Sequence, residues 1–400
     1  MPLSHLSFSW QRGLQDIPAD AWQALAGPHP MLDYRFLHAF ETSASVDQQT
    51  GWVPYHLTVS DGEQLVAAAP CYIKTHSYGE YVFDWSWADA YEQAGGKYYP
   101  KLISAIPFSP VTGPRLLVHP DYAEPEQLAA AMLQQMRALC EENALSGSHV
   151  LFPDPASAAQ CAAQGLLRRE GVQFRWENHG YADWEAFMAV LSRDKRKKIR
   201  QERNKVAQQG VTCRVRNGHQ LTADELALFY QCYSNTYHRH GSQPYLTMAF
   251  FAQIVRDMPD NILLFIATQA GKDIATSLCI LGPDVLYGRY WGSLRDVSCL
   301  HFELCYYQPQ AFCISHGIRY FEGGAQGVHK LARGFVPYTT CSYHWLTHKD
   351  FQQSVERFLA REETAMQHYV NELEERSPYK VVAEADDGAA GGDQLNDQAT

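Results

Sequence analysis

The stretch 320–335, YFEGGAQGVHKLARGF, concentrates more reactive side chains than any other in the chain. Glu322 precedes glycines 323, 324 and 327. Three bases, His329, Lys330 and Arg333, follow before Gly334 and Phe335. Glycine permits positive φ and close backbone approach, so the cluster predicts a sharp turn after a strand. Exposed N–H groups in such a turn (Gly323, Gly324 and Gln326) can face an anion or a developing oxyanion. An acid before the turn and bases after it put proton-transfer and charge-stabilising groups on one loop. A tight turn leading into a solvated basic helix explains the same residues without chemistry. The glycine spacing is not GxGxxG, and the chain has no P-loop GK[ST].

Two more stretches carry candidates. Residues 76–102, HSYGEYVFDWSWADAYEQAGGKYYPKL, mix rings with charges: His76, Tyr78, Asp84, Trp85, Tyr98, Tyr99 and Lys101. Rings supply area and polar tips supply orientation, which suits a binding cleft. The alternative is a strand with its aromatics in the core and its acids at the rim. Residues 193–205 hold eight Lys/Arg against Asp194 and Glu202 in a chain of formal charge −11. Leu191, Ile199 and Val206 form a narrow apolar stripe, so this is a mostly solvated helix, closed by Gly210. Such a helix attracts phosphate-rich ligands such as tRNA or a nucleotide tail, or is simply a solvated face.

The elements that must position these groups follow from the whole chain. Its 400 residues suggest two domains, and a hydrophobic content of 46% marks it as globular. There is no apolar run of transmembrane length and no basic, then apolar, leader, so the expectation is a soluble, cytoplasmic protein. Ten cysteines are scattered without CxxC or zinc spacing, which predicts reduced thiols and no metal site. The overall negative charge argues against general nucleic-acid binding but leaves room for a local basic patch. Residues 1–50 read as a strand and helices, and Asp61–Gly62 as a hairpin turn. The segment 107–118, with Arg115, leads to a strand. Helices are expected at 124–143, 222–237 (Thr222 and Glu225 as capping box), 246–258, 298–316 and 350–375. Strands are expected at 149–153, 173–177, 212–216, 262–268, 274–281, 285–291, 318–321 and 343–346. The tail from 381, rich in Ala, Gly, Asp and Gln, is expected to be disordered.

The halves echo each other at an offset of 209 residues: Gly62 to Gly271, Leu65 to Ile274, Tyr78 to Tyr287, Gly79 to Gly288 and Tyr81 to Tyr290. This predicts a duplicated α-α-β-β-β-α-β unit, with matching third strands at 78–83 and 287–291 that carry YGxY. The domains would be 1–180 and 181–380, the second opening on the basic helix.

With these segments, HSYGEYVFDWSWADAYEQAG, YYPKL, PFSPVTGPRLL and EGGAQGVHKLARGF, the chain resembles the FemAB-like group of N-acyltransferases over about residues 5–375. That group is related to the Fem peptidoglycan aminoacyltransferases. The resemblance implies an α+β fold of two tandem GNAT-like units with mixed, mainly antiparallel sheets flanked by helices. It also implies acyl or aminoacyl transfer from an activated carrier to a small-molecule amine, with no tightly bound cofactor. The carrier would be aminoacyl-tRNA or acyl-CoA. The chain departs from the group at Val328, where Glu is usual. It lacks a Q/R-x-x-G-x-G/A loop before 298–316, which weighs against CoA, and it lacks the inserted helical arm of the Fem enzymes. An acyl-CoA acetyltransferase and a non-catalytic ligand-binding protein are the alternatives.

In that reading Glu322 or His329 takes the amine proton, and Lys330 and Arg333 steady phosphate or oxyanion charge. Arg289, Tyr290 and Trp291 line the acyl channel, and Tyr237 is a further substrate-binding candidate. Tyr98, Tyr99, Lys101 and Arg115 hold the acceptor across an interdomain cleft. His301 and Glu303 either face that cleft or form a plain helix start. Glu322, Lys330 and Arg333 are expected to converge beside Tyr98 and Lys101.

Overall fold

A computed structural model describes residues 3–324 and 327–380. Gln326 and the acidic tail from 381 lie outside the described residues. The described strands are β1 (Leu6–Gln11), β2 (Trp52–Pro54), β3 (His56–Asp61), β4 (Gln64–Ala69), β5 (Cys71–Lys74), β6 (Lys101–Ser104), β7 (Leu117–Val118), β8 (Gly147–Leu151), β9 (Leu167–Glu177), β10 (Val211–Asn217), β11 (Ile262–Gln269), β12 (Lys272–Leu281), β13 (Val285–Ser293), β14 (Tyr320–Glu322) and β15 (Val336–Leu346). Four of them form a small sheet, β1-β3-β4-β7. The other eleven form one sheet in the order β10-β11-β12-β13-β14-β9-β15-β8-β6-β5-β2.

Among the described strand pairs only β6–β8 and β13–β14 are parallel. A parallel pair needs a long crossover. Helix Pro125–Glu142 lies within one crossover, and a helical stretch over 300–316 lies within the other. Each half therefore ends its antiparallel strands with strand, helix and parallel strand, the expected tandem GNAT-like α+β arrangement. The halves then share their last strands. β9 pairs with β14 and β15, while β15 pairs with β9 and β8, so the large sheet runs unbroken through both. No helix among the described residues is long and apolar enough to cross a membrane.

The echo between the halves is partly structural. Hairpins β3–β4 and β11–β12 carry the same bulge: Val59 pairs with Ala67 and Ser60 with Leu65, as Ala267 pairs with Ala275 and Thr268 with Asp273. The ladders match at an offset of 208 (Val59 to Ala267), one less than the sequence diagonal. The glycine is the first turn residue in one hairpin and the second in the other, Gly62 and Gly271, both at positive φ.

The third-strand match fails. Residues 285–293 are a strand, but 78–83 form an irregular loop. Buried charge explains the difference. Lys101 Nζ donates to Ser77 Oγ at 2.9 Å, Glu80 at 2.8 Å and Asp84 at 2.5 Å. The Tyr78 carbonyl accepts from Trp52 Nε1 and Lys74 Nζ. A buried ammonium must be paired, and the segment folds around it instead of joining a sheet.

Other expectations hold. Helix Ala223–Arg239 starts on the Thr222–Glu225 capping box. The basic stretch is a helix, Arg193–Gln208, that buries Ile199, Glu202 and Val206 and exposes most of its cations. One glycine sets the geometry of the next section. A Cβ on Gly292 would stand 1.9 Å from the Cys232 carbonyl oxygen, so helix Ala223–Arg239 lies directly on β13.

Candidate active site

That close approach puts the end of the helix beside the second half of β13, where a groove opens in two connected parts. One part, about 450 Å³, is lined by Tyr81, Tyr233, Tyr237, Tyr245, Tyr290 and Arg289, among others. The second, about 440 Å³, runs past Arg239, Arg295 and Ser298 to His301 and Phe302. Thr236, His240 and Trp291 line both. β13 is paired to β14 only over 285–287 and runs on alone on that side to Ser293. It also bulges: Leu278 faces Tyr290 while Cys279 faces Gly288, leaving Arg289 as the extra residue. Bulges re-aim side chains. Here Arg289 donates to the Phe108 carbonyl at 2.6 Å and lies over Tyr290. The first half enters the groove through Tyr81, and Phe108 stacks on Tyr245.

The His329 turn stands at the far end. The His301 ring lies 5.3 Å from Trp291 and 6.1 Å from His329. His301 is held down at about 4, chiefly by burial and then by the nearby bases His329, Arg333 and Lys330. His329 is exposed, and its Nε2 shares a hydrogen bond of 2.9 Å with the Tyr306 hydroxyl. Its pKa is lowered, first by desolvation and then by Arg333 and Lys330. Lys330 is buried, and its Nζ donates to the Gly324 carbonyl at 2.8 Å. Burial lowers it to about 8. Gly323 leaves room for it, since a Cβ there would meet Phe335 at 2.9 Å and Lys330 Cε at 3.3 Å. Gly324, Gly327 and Gly334 take positive φ, which only glycine adopts easily. The helix after the turn is a short 3₁₀ segment, Val328–Arg333.

Arg333 is buried against Phe302, with its Nη2 donating to Glu202 at 2.7 and 2.9 Å. Glu322 accepts from Arg175 at 2.6 Å. Burial raises its pKa, opposed by the Arg175 charge. Glu322 and Lys330 are thus not each other's ion-pair partner: the turn is pinned by two separate pairs.

The groove and turn bring together Tyr237, Arg289, Tyr290, Trp291, His301, His329 and Lys330 from the sequence-derived candidates. The first-half candidates lie elsewhere. Lys101, Asp84 and Tyr98 close on one another in the interior, with Tyr98 donating to Asp84 at 2.6 Å. Tyr99 bonds to Ser77. Arg115 is fully buried and donates to the carbonyls of Val111, Gly113, Pro114 and Leu151. His76 bonds to the Thr50 carbonyl, and Tyr78 is exposed against Trp85. Glu303 turns toward Arg203 and Gln308 rather than the groove. The expected convergence of the turn with Tyr98 and Lys101 does not occur. Lys101 is on β6, four strand steps from β14, which is roughly 19 Å at ~4.8 Å per step.

Tyr81, His240, Tyr245, Arg175, Tyr306 and Glu202 are not named as site residues from the sequence, although Tyr81 appears in the YGxY echo and Glu202 in the basic stretch. Tyr81 falls on an expected strand that is a loop, and Tyr245 sits in a loop without periodicity. Glu202 had a legible signal: it falls between Ile199 and Val206 at helical spacing, on the buried stripe.

The family model for FemAB-like proteins, described as peptidoglycan biosynthesis/recognition, matches residues 13–381. No curated protein is significantly similar in sequence. Two of the solved structures that share the fold illustrate the likeness. FemX is 11% identical, with 87% of this chain and 100% of that chain covered and a TM-score of 0.51. The C-terminal domain of a putative lysylphosphatidylglycerol synthetase from Agrobacterium fabrum is 10% identical, with 85% and 96% covered and a TM-score of 0.52. At these identities the likeness is one of fold. With the family model spanning nearly the whole chain, this protein belongs to the FemAB-like family.

Proposed function

We propose that the protein transfers an acyl or aminoacyl group from a phosphate-bearing carrier to the amine of a small molecule related to peptidoglycan precursors. The observation that carries this reading is a groove whose far end, at His301, lies 6.1 Å from the exposed His329 ring, next in the chain to the buried Lys330. The acceptor amine attacks the carrier's ester or thioester carbon. A C–N bond forms, the carbonyl becomes a tetrahedral oxyanion, and the C–O or C–S bond then breaks. His329 takes the amine proton and returns it to the leaving alcohol or thiol. Lys330, protonated below about 8, faces the oxyanion. The aromatic part of the groove, with Arg289, holds the body of a reactant.

The exposed face of Arg193–Gln208 favours aminoacyl-tRNA over CoA, because its cations suit a polyphosphate backbone. Thermal shift against CoA and tRNA tests the donor, since a ligand that binds only the folded state raises the melt by mass action. Stabilisation by tRNA and not by CoA is expected. Stabilisation by CoA alone would transfer the assignment to an acyl-CoA enzyme. Binding without transfer to any amine would leave a ligand-binding protein.

A further inference from the structure

We infer that Glu202 is a positioning residue that couples the basic helix to the His329 turn. The inference rests on the reading of His329 as the proton acceptor. The helix is basic outside, yet its inner stripe of Ile199 and Val206 includes one carboxylate, Glu202, also buried. A buried carboxylate costs stability unless it is paired. Glu202 accepts two bonds from Arg333 Nη2 and one from the Tyr307 hydroxyl. The other terminal nitrogen of Arg333 donates to the His329 carbonyl at 2.5 Å. The imidazole is therefore held at its backbone by Arg333 and at its ring by Tyr306.

The two tyrosines are consecutive in a π-helical turn, Glu303–Tyr307. Wide turns of this kind recur at functional sites. Here the turn serves both ends of one network, Tyr306 to His329 and Tyr307 to Glu202. A ligand that moves the helix carries Glu202 with it, and through Arg333 the His329 carbonyl. A helix that served only as a docking face would need no such inward carboxylate.

The test is the NMR signal of the His329 ring carbon in the full chain at pH 8, where the imidazole is neutral, titrated with a short RNA hairpin. The expected result is a shift on binding in the natural protein. In Glu202→Gln the hairpin should bind within about twofold, while the shift at His329 falls to less than half. Tyr307→Phe, which removes only a hydroxyl, should give a smaller loss of the same kind and guards against misfolding of the first variant. An undiminished shift in both variants would overturn the coupling, as would a hairpin that does not bind or that leaves His329 silent. Failure of the underlying reading is separable: His329→Gln would then turn over normally whatever the NMR result.

Discussion

The two halves each gather lysine, carboxylate and aromatic rings after a turn, and they use them in opposite ways. In the first half Lys101 is closed by Glu80, Asp84 and Ser77, with Tyr98 and Tyr99 around it. Each charge there meets a fixed partner inside the molecule. In the second half Lys330 bonds to the backbone carbonyl of Gly324, and His329 stands exposed near the end of a groove. The same residue types hold a loop together in one place and, in the proposed mechanism, meet a substrate in the other. Access, not composition, separates the two: the Lys101 cluster is buried on all sides, whereas the exposed His329 adjoins Lys330 in the second half.

Breaking the comparison at its functional end should give the largest effect. Lys330→Ala should lower transfer by about 10²-fold or more, since positioned proton and charge groups typically contribute ~10²–10⁴. A variant with normal turnover per folded molecule would remove Lys330 from the mechanism.

Breaking it at the structural end should unfold rather than inactivate. Lys101→Met leaves Glu80 and Asp84 buried without their cation, and stability should fall by about 3–5 kcal/mol. In that variant both carboxyls bind protons more tightly folded than unfolded. The deficit should therefore shrink as pH falls, which urea melts at two pH values would reveal. A deficit that grows on acidification would mean the cluster is not held by charge.

The pH dependence of transfer sharpens the comparison further. His329 must be neutral and its pKa lies below the ordinary 6.5, while Lys330 must be protonated and loses its proton at about 8. The kcat/KM profile should rise below pH 6.5 and fall near 8. A rise through 8 would reverse the two roles. The smallest effect on the fold should come from Lys195, Lys197 and Lys198 changed together to Glu. Lys197 and Lys198 are exposed and Lys195 half-buried, and surface charges contribute little, so stability should move by less than about 1 kcal/mol. tRNA binding should weaken and lose part of its salt dependence. Unchanged binding would make this helix a plain solvated face.

Much of the architecture was legible because periodicity and turn chemistry are local. The Thr222–Glu225 cap, the 61–62 and 270–271 hairpins and the amphipathic basic helix all follow from residues a few positions apart. The 78–83 loop was misread because its YGxY matched a true strand in the other half, while the cause of its shape, Lys101, lies about twenty residues on in another strand. Arg289 was legible as a groove residue from the YGRYW strand, but the bulge that aims it needed the ladder. Glu322 was expected to act with Lys330. Its partner Arg175 comes from β9, a strand the sequence placed in the other half and the sheet places next to β14.

The most direct test of the central claim is turnover per folded molecule of His329→Gln, with tRNA-borne aminoacyl donor and an amine acceptor. The side chain is exposed, so the variant should fold normally. The account predicts at least about a tenfold loss of transfer with an unchanged melt and unchanged donor binding. Full turnover in the folded variant would contradict it.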